Sequence, residues 1–190
     1  RAFSRVRPGD PSWPSEARWA QLGQAVGGAL VKVDSPLTGC LKSPTATACE
    51  QLFKGVKNPY LIRDDVGLTQ TLGWVDAWTS SPSVYAVAAR TTAHVVAAVN
   101  FAREQRLRLV VKGTGHSYLG TSNAPDSLMV WTRQMDAVTL HEAFVAQGCE
   151  AQAKPERAVT VEAGAVWAQA YDAVSTRGGG YVQGGGCLSV

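Results

Sequence analysis

At 190 residues the chain has room for one ordinary domain, or for one and a half small ones. A hydrophobic content of 45% against 17% charged residues describes a core-forming protein and excludes a disordered one. The net charge of +3 is scattered along the chain, so nucleic acid is not an expected partner, and no apolar run approaches the ~18–20 residues of a bilayer span, so neither is a membrane.

The chain opens at Arg1, without an initiator methionine or a secretory apolar region. A removed leader and a fragment are both open readings. Residues 1–14 carry three prolines and read as an extended arm. Ser15 is placed to cap a helix through Val26, with Trp19, Leu22 and Val26 on one face and Gly27-Gly28 as the stop. Residues 34–58 read as loop-rich, and within them Cys40 and Cys49 flank "LKSPTATA". That gap is too wide for a CxxC redox or zinc pair, so no metal site is expected. We read the two cysteines as a disulfide in preference to two buried thiols, stabilising by about 2–3 kcal/mol and implying an oxidising compartment. Cys149 and Cys187 have no evident partner. The stretch 64–83 reads mostly as loop; its Asp64-Asp65 looks like a solvated turn, and its Trp74 and Trp78 like packing residues.

From Val84 the pattern becomes regular. The spacing predicts a strand over 84–89, then a helix over 91–105 with Val95, Ala98, Val99 and Ala102 on its inner face. A strand over 106–113 follows, giving a β-α-β unit and a parallel strand pair. Further strands are expected at 127–132, 137–144 and 158–164, then a helix at 166–178 and a last strand entering the glycine turn of "YVQGGGCLSV". His94 and His141 read as surface residues, whereas Arg133 and Gln134 are weak candidates for positioning a cofactor.

Two glycine clusters carry the chemistry. The first, "KGTGHSYLGTS", fails as a P-loop because Thr121 stands where the lysine must be. It fails as a dinucleotide fingerprint because Tyr118 takes the third glycine and a polar turn follows instead of a helix. What survives is a nest of amides over Gly113–Ser117 able to bind an anion, against the plainer reading of a tight turn. Lys112, ending the strand, is expected to face solvent. The second cluster, "GGGC" at 184–187, places a thiol beside a close-approach backbone, which gives Cys187 a route to a lowered pKa. His116 and Cys187 are thus two nucleophiles, each in its own glycine loop.

"VVKGTGHSYLGTSNAPDSL", "AVTVEAGAVW" and "YVQGGGCLSV" together resemble the FAD-binding domain of the vanillyl-alcohol-oxidase/p-cresol-methylhydroxylase superfamily, in its berberine-bridge-enzyme-like branch, which includes oligosaccharide oxidases. The resemblance runs in order from about Ser83 to Val190, and "NPYLIRDDVGLTQTLGWVDAW" upstream is also similar. It implies an α+β fold, a vanillyl-alcohol-oxidase-type FAD-binding domain with two small α/β subdomains around the cofactor. Residues 1–82 would be an arm, helix and disulfide loop packing on that domain, and 83–190 its N-terminal part.

Carried onto this chain, the resemblance implies that Gly113, Thr114, Gly115 and Ser117 bind the FAD pyrophosphate through main-chain amides. His116 would bond to the flavin 8-methyl carbon and Cys187 to flavin C6, giving a bicovalent FAD. Gly184, Gly185 and Gly186 would let the backbone pass against the isoalloxazine, with Tyr118, Leu119, Ser122 and Val182 as further contacts. Cys40–Cys49 would match a disulfide of the family, and the protein would be secreted or periplasmic.

The implied activity is an FAD-dependent oxidase acting on CH–OH donors: an alcohol, carbohydrate or secondary-metabolite substrate gives hydride to flavin N5, and dioxygen takes the electrons. Beyond the tethers, no catalytic residue is implied within this chain. The family pattern continues past Val190 into the substrate domain and catalytic base. A C-terminal part of the same protein, or another chain, is therefore the expected partner, besides FAD and substrate. The rival readings are a non-catalytic FAD- or nucleotide-binding fragment and a structural fragment whose glycine loops are merely turns.

Overall fold

The computed structural model describes residues 4–69, 81–151 and 153–190. Trp74, Trp78 and most of the loop expected over 64–83 lie outside them. Contacts divide the chain into two compact units, Arg1–Gln134 and Met135–Val190.

The first unit is built on a four-stranded sheet in the order β1-β2-β4-β3, with β1 Leu30–Lys32, β2 Tyr85–Ala88, β3 Arg108–Lys112 and β4 Ser127–Trp131. β1 runs antiparallel to β2, while β2 and β3 each pair parallel with β4. The expected parallel pair is therefore split: β4 lies between the strands of the β-α-β unit. Every residue of β4 is buried, as a strand flanked on both edges and covered on its faces must be. The core here is Ala86, Ala88, Met129 and Trp131, with Val33, Val66 and Val110 packed against it.

α1, Glu16–Ala25, is capped by Ser15, whose hydroxyl accepts from the Arg18 amide at 3.4 Å. Its Trp19 stacks on Tyr85 at 4.2 Å and meets Phe101 at 5.0 Å, joining α1 to the sheet and to the helix that carries Phe101. Gly27 and Gly28 stop the helix in left-handed conformations, at φ +57° and +81°.

The region 34–58 is more ordered than expected. It holds α2, Leu37–Lys42, and α3, Thr47–Gly55, followed by α4, Pro59–Asp64. Asn58 caps α4 by accepting from the Tyr60 amide at 3.0 Å, and Pro59 takes the first helical position. The disulfide Cys40–Cys49 joins α2 to α3.

α5, Thr92–Glu104, is capped by the Thr91 hydroxyl. Its inner face is Ala98, Phe101 and Ala102; Val99, expected inside, is 42% exposed. The helix ends with Arg106 left-handed at φ +54°, its amide donating to Arg103 and that of Leu107 to Ala102. This closure uses residues 106 and 107, so β3 begins two residues later than the apolar pattern suggests.

In the second unit β5, Val138–Phe144, pairs antiparallel with β6, Glu156–Val161. α6, Trp167–Tyr171, continues directly into a π-helical turn, Asp172–Arg177. Added at Gly178, a Cβ would lie 2.8 Å from the Ala173 and Val174 carbonyl oxygens, so only glycine closes that turn. The expected final strand is absent. Residues 181–190 run without strand pairing and are held instead by α6, whose Trp167 and Ala168 amides donate to the Val190 and Leu188 carbonyls.

The Cys40–Cys49 bridge spans nine positions, a loop short enough for its closure to weigh on the unfolded chain. The double variant Cys40→Ser/Cys49→Ser is expected to lose about 2–3 kcal/mol in urea unfolding. An unchanged midpoint would show that the helices hold each other without the bridge.

Candidate functional site

The glycine–histidine loop leaves the C-terminal end of β3, the end of a parallel strand at which ligands bind in open α/β sheets. Lys112, expected in solvent, is fully buried. Its ammonium donates to the backbone carbonyls of Ile62, Asp65 and Leu68, at 2.5–3.1 Å. Burial pushes it down to about 8, with Asp65 and Asp64 pulling the other way.

Gly115 sits above it at φ +83°, and a Cβ there would come 3.0 Å from Lys112 Cε and 3.4 Å from Ile62 Cγ2. The Thr69 hydroxyl donates to the Gly115 carbonyl at 3.3 Å, so the loop rests on residues 62–69. Outside the strand ladders, the amides of Gly113, Thr114 and Gly115 donate to no backbone carbonyl among the described residues.

His116 follows, half-buried. Ser117 is occupied by its own turn: its hydroxyl lies 2.7 Å from that of Thr121 and accepts from the Leu119 and Thr121 amides. Tyr118 and Leu119 are exposed, whereas Ser122 is buried. Sequence reasoning missed Asn123. It is 7% exposed, and neither its carboxamide oxygen nor its nitrogen has a partner among the described residues. Within "SNAPD" it reads as an ordinary turn residue; only its burial marks it.

Asp64 is exposed, as expected, but it ends α4 and joins two arginines. Its carboxylate accepts from Arg63 and, at 2.9 Å, from Arg133, and the Arg63 hydrogen bond chiefly holds its pKa below the ordinary carboxylate value. Asp65 caps the next turn through the Gly67 amide. Gln134 accepts from Arg90 at 2.6 Å, so Arg133 and Gln134 bind protein groups here. His94 is half-buried, not on the surface as read, and His141 pairs with Thr160 at 2.9 Å.

In the second unit the "GGGC" loop packs on α6. A Cβ on Gly184 would overlap the Trp167 indole, and one on Gly185 would stand 3.0 Å from its Nε1. The Tyr171 hydroxyl donates to the Gly185 carbonyl at 2.9 Å. Gly186 differs, because its Cβ direction is open. Among the described residues, the amides of Gly184, Gly185, Gly186 and Cys187 donate to no backbone carbonyl. Val182 is set apart from this loop, lining a cavity of about 330 Å³ with Leu140, Arg157, Val174 and Tyr181.

The Cys187 thiol is exposed, with Sγ 3.3 Å from the Ser189 hydroxyl. Hydrogen bonds from the Ser189 side chain and amide, and then the Val190 amide, hold it below the ordinary thiol range. Cys149 is likewise free and exposed. No group of three His, Cys, Asp or Glu side chains is placed to hold a metal among the described residues.

Taken by itself, the first loop suits an anion such as the pyrophosphate of a dinucleotide, and the second loop, by itself, suits the edge of a flat ring. Amides without carbonyl partners suit phosphate or ring oxygens, and the buried Asn123 carboxamide has a donor and an acceptor to offer. At Gly186 the backbone is bare.

Two predictions follow from the loop at 184–187. Gly184→Ala must move the Trp167 indole, and is expected to cost about 1–3 kcal/mol in urea unfolding with a change in tryptophan fluorescence. Gly186→Ala is expected to stay within about 0.5 kcal/mol of the parent. Equal effects would refute the packing contrast. Separately, a lowered thiol pKa keeps the thiolate populated at pH values where an ordinary thiol is protonated. Iodoacetamide should therefore alkylate Cys187 with a pH midpoint below the usual thiol value, and Ser189→Ala should raise that midpoint.

Residues 83–189 match the family model described as an FAD binding domain. Over 97% of its length the chain is 29% identical to the FAD-linked oxidoreductase notD of Aspergillus sp. (strain MF297-2), and likewise 30% identical to the FAD-linked oxidoreductase easE of Epichloe festucae var. lolii. It spans only 36% of the length of each. A solved VAO-type flavoprotein of Myceliophthora thermophila C1 superposes with a TM-score of 0.80 at 30% identity, over 98% of this chain and 36% of that one. A second VAO-type flavoprotein of the same organism gives 0.76 at 22% identity, over 91% and 34%, a likeness of fold. A β3 that ends in a glycine–histidine loop and a "GGGC" turn packed on α6 are thus parts of a VAO-type flavoprotein fold, and the chain belongs to the FAD binding domain family.

Proposed function

We propose that this chain holds FAD through two covalent tethers, His116 and Cys187, in an oxidase of the berberine-bridge-enzyme-like branch. The observation that carries the reading is the pairing of each nucleophile with its own run of amides that, outside the strand ladders, donate to no backbone carbonyl among the described residues. Cys187 adds to it, being exposed and biased toward thiolate by Ser189.

Gly113, Thr114 and Gly115 would offer their amides to the pyrophosphate. Tyr118, Leu119 and Ser122 would lie along the cofactor, and Gly184–Gly186 would give the ring a backbone without side chains. Ser117 would contribute its amide, since its hydroxyl is engaged in the turn. Bound FAD supplies the hydride acceptor, taking hydride from a substrate C–H at N5 and passing two electrons to dioxygen.

Each tether replaces one flavin C–H and one side-chain N–H or S–H by a single C–N or C–S bond. The two hydrogens leave with two electrons to dioxygen as hydrogen peroxide. Neutral imidazole and thiolate are the side chains able to make such bonds near neutral pH. The substrate class we propose is an alcohol, a carbohydrate or a secondary metabolite bearing CH–OH. The Cys40–Cys49 disulfide supports a secreted or periplasmic location. The span of 36% of its relatives favours the second reading, an FAD-binding piece whose turnover needs further chain.

Denaturing acid precipitation of the full-length protein tests this. Yellow colour should stay with the pellet in the parent and in His116→Ala and Cys187→Ala, each keeping one tether, and should leave only in the double variant. A colourless parent pellet sinks the covalent reading. Colour retained without peroxide on a panel of sugars and alcohols supports the second reading.

A further inference from the structure

Lys112 is the largest fully buried side chain among the described residues, and its three hydrogen bonds all end on backbone carbonyls. An ammonium has three donors and no acceptor, so Ile62, Asp65 and Leu68 saturate it. These carbonyls belong to the last turn of α4 and the turn beyond it, where a helix end leaves carbonyls without intrahelical donors.

The stem of the same side chain lies under the glycine loop, 3.0 Å from where a Gly115 Cβ would stand. One residue past Leu68, the Thr69 hydroxyl holds the Gly115 carbonyl. Lys112 therefore grips the loop twice. Its stem forms the floor beneath Gly115, and its head fixes the segment from which Thr69 reaches back. His116 is the next residue along.

We propose that Lys112 is the positioning residue of the histidine loop: through residues 62–69 and Thr69 it fixes the Gly113–His116 backbone in the conformation from which His116 is joined to flavin. The tether through His116 then depends on Lys112, and the tether through Cys187 does not. The inference rests on the flavin reading above. Lys112 touches no reacting atom; it acts through the backbone of its neighbours.

The test uses the full-length protein with Lys112→Met, which keeps the length of the side chain and removes its donors. Thr69→Val keeps shape, leaves Lys112 intact and removes the hydroxyl that carries the grip to Gly115. Two readouts are needed. Amide hydrogen exchange, which requires no flavin, should be on the order of tenfold faster over 62–69 and 113–118 in Lys112→Met, with β4 at the parent rate. After denaturation and digestion, flavin should remain on the Cys187 peptide at parent yield and fall several-fold on the His116 peptide. In a Cys187→Ala background, Lys112→Met should then release FAD on denaturation.

Parent yield on the His116 peptide overturns the proposal. So does a parallel fall at both tethers that follows the global unfolding midpoint, because a purely structural lysine would act that way. Should Lys112→Met fail to fold, Thr69→Val decides, with unchanged exchange over 113–118 and parent His116 yield as the overturning result. A parent protein with flavin on neither peptide refutes the tether reading instead, and exchange alone then judges Lys112.

Discussion

A backbone amide kept from water needs an acceptor, and most of this chain meets that need through helices, ladders and turns. Among the described residues, and outside the strand ladders, the amides of Gly113–Gly115 and of the exposed Gly184–Cys187 turn donate to no backbone carbonyl. Around the first loop, nearby acceptors are taken: Lys112 occupies three carbonyls and Thr69 a fourth, that of Gly115 itself. Around the second, the first amides of α6 use the carbonyls of Leu188 and Val190, and Tyr171 uses that of Gly185. Amides that donate to no carbonyl among the described residues are available as donors to a ligand. An anion or a ring with carbonyl oxygens satisfies them with little further ordering of the backbone.

The energetics of Lys112 show why an expensive group is retained there. Burial moves it from its ordinary 10.5 to about 8, roughly 3 kcal/mol against the charged form. Between those two pH values the folded state binds fewer protons than the unfolded one. The cost is therefore fully present below pH 8 and is relieved as pH rises toward 10.5. Methionine would avoid that cost, yet would leave the Ile62 and Leu68 carbonyls without a donor among the described residues, at roughly 1–3 kcal/mol each, and the Asp65 carbonyl with the Leu68 amide alone. The two quantities are of the same size, so the ammonium is retained at little net cost while it ties the end of α4 to β3. Arg133 on Asp64 ties the same helix end to the residues after β4, so two cations bind α4 to the C-terminal end of the parallel strands.

What was legible in the sequence was local. The Ser15 cap, the helix after Thr91, the apolar run of β4 and the fit of both glycine loops to one family follow from residues read with their neighbours. Pairing over distance was not legible. Nothing local announces that β4 enters between β2 and β3, which leaves β3 at the sheet edge, nor that residues 62–68 come over that edge and bury Lys112. α2 and α3 are six and nine residues long, too short for a period of 3.6 to stand out from a turn-rich stretch. "YVQGGGCLSV" has the composition of a strand entering a turn, but a strand requires a neighbour, and α6 supplies hydrogen bonds in its place. Asn123 escaped because a carboxamide in a turn looks the same whether its partner is solvent or a ligand.

The environment of Cys187 suits attack rather than storage of a thiolate. An attacking thiol is most effective with a pKa near ambient pH, because each further lowering raises the thiolate fraction less than it weakens the nucleophile. A neighbouring cation or deep burial would shift the group far, in opposite directions. Here the thiol is exposed and the lowering comes from hydrogen bonds alone, those of Ser189 first. Such bonds are weaker at an exposed site than in the interior, and a hydroxyl can rotate away as the sulfur advances. At Gly186, the residue before Cys187, the direction a Cβ would take is open. Reactivity and access thus arise from the same short turn, and both depend on Trp167 and Tyr171 holding Gly184 and Gly185 against α6.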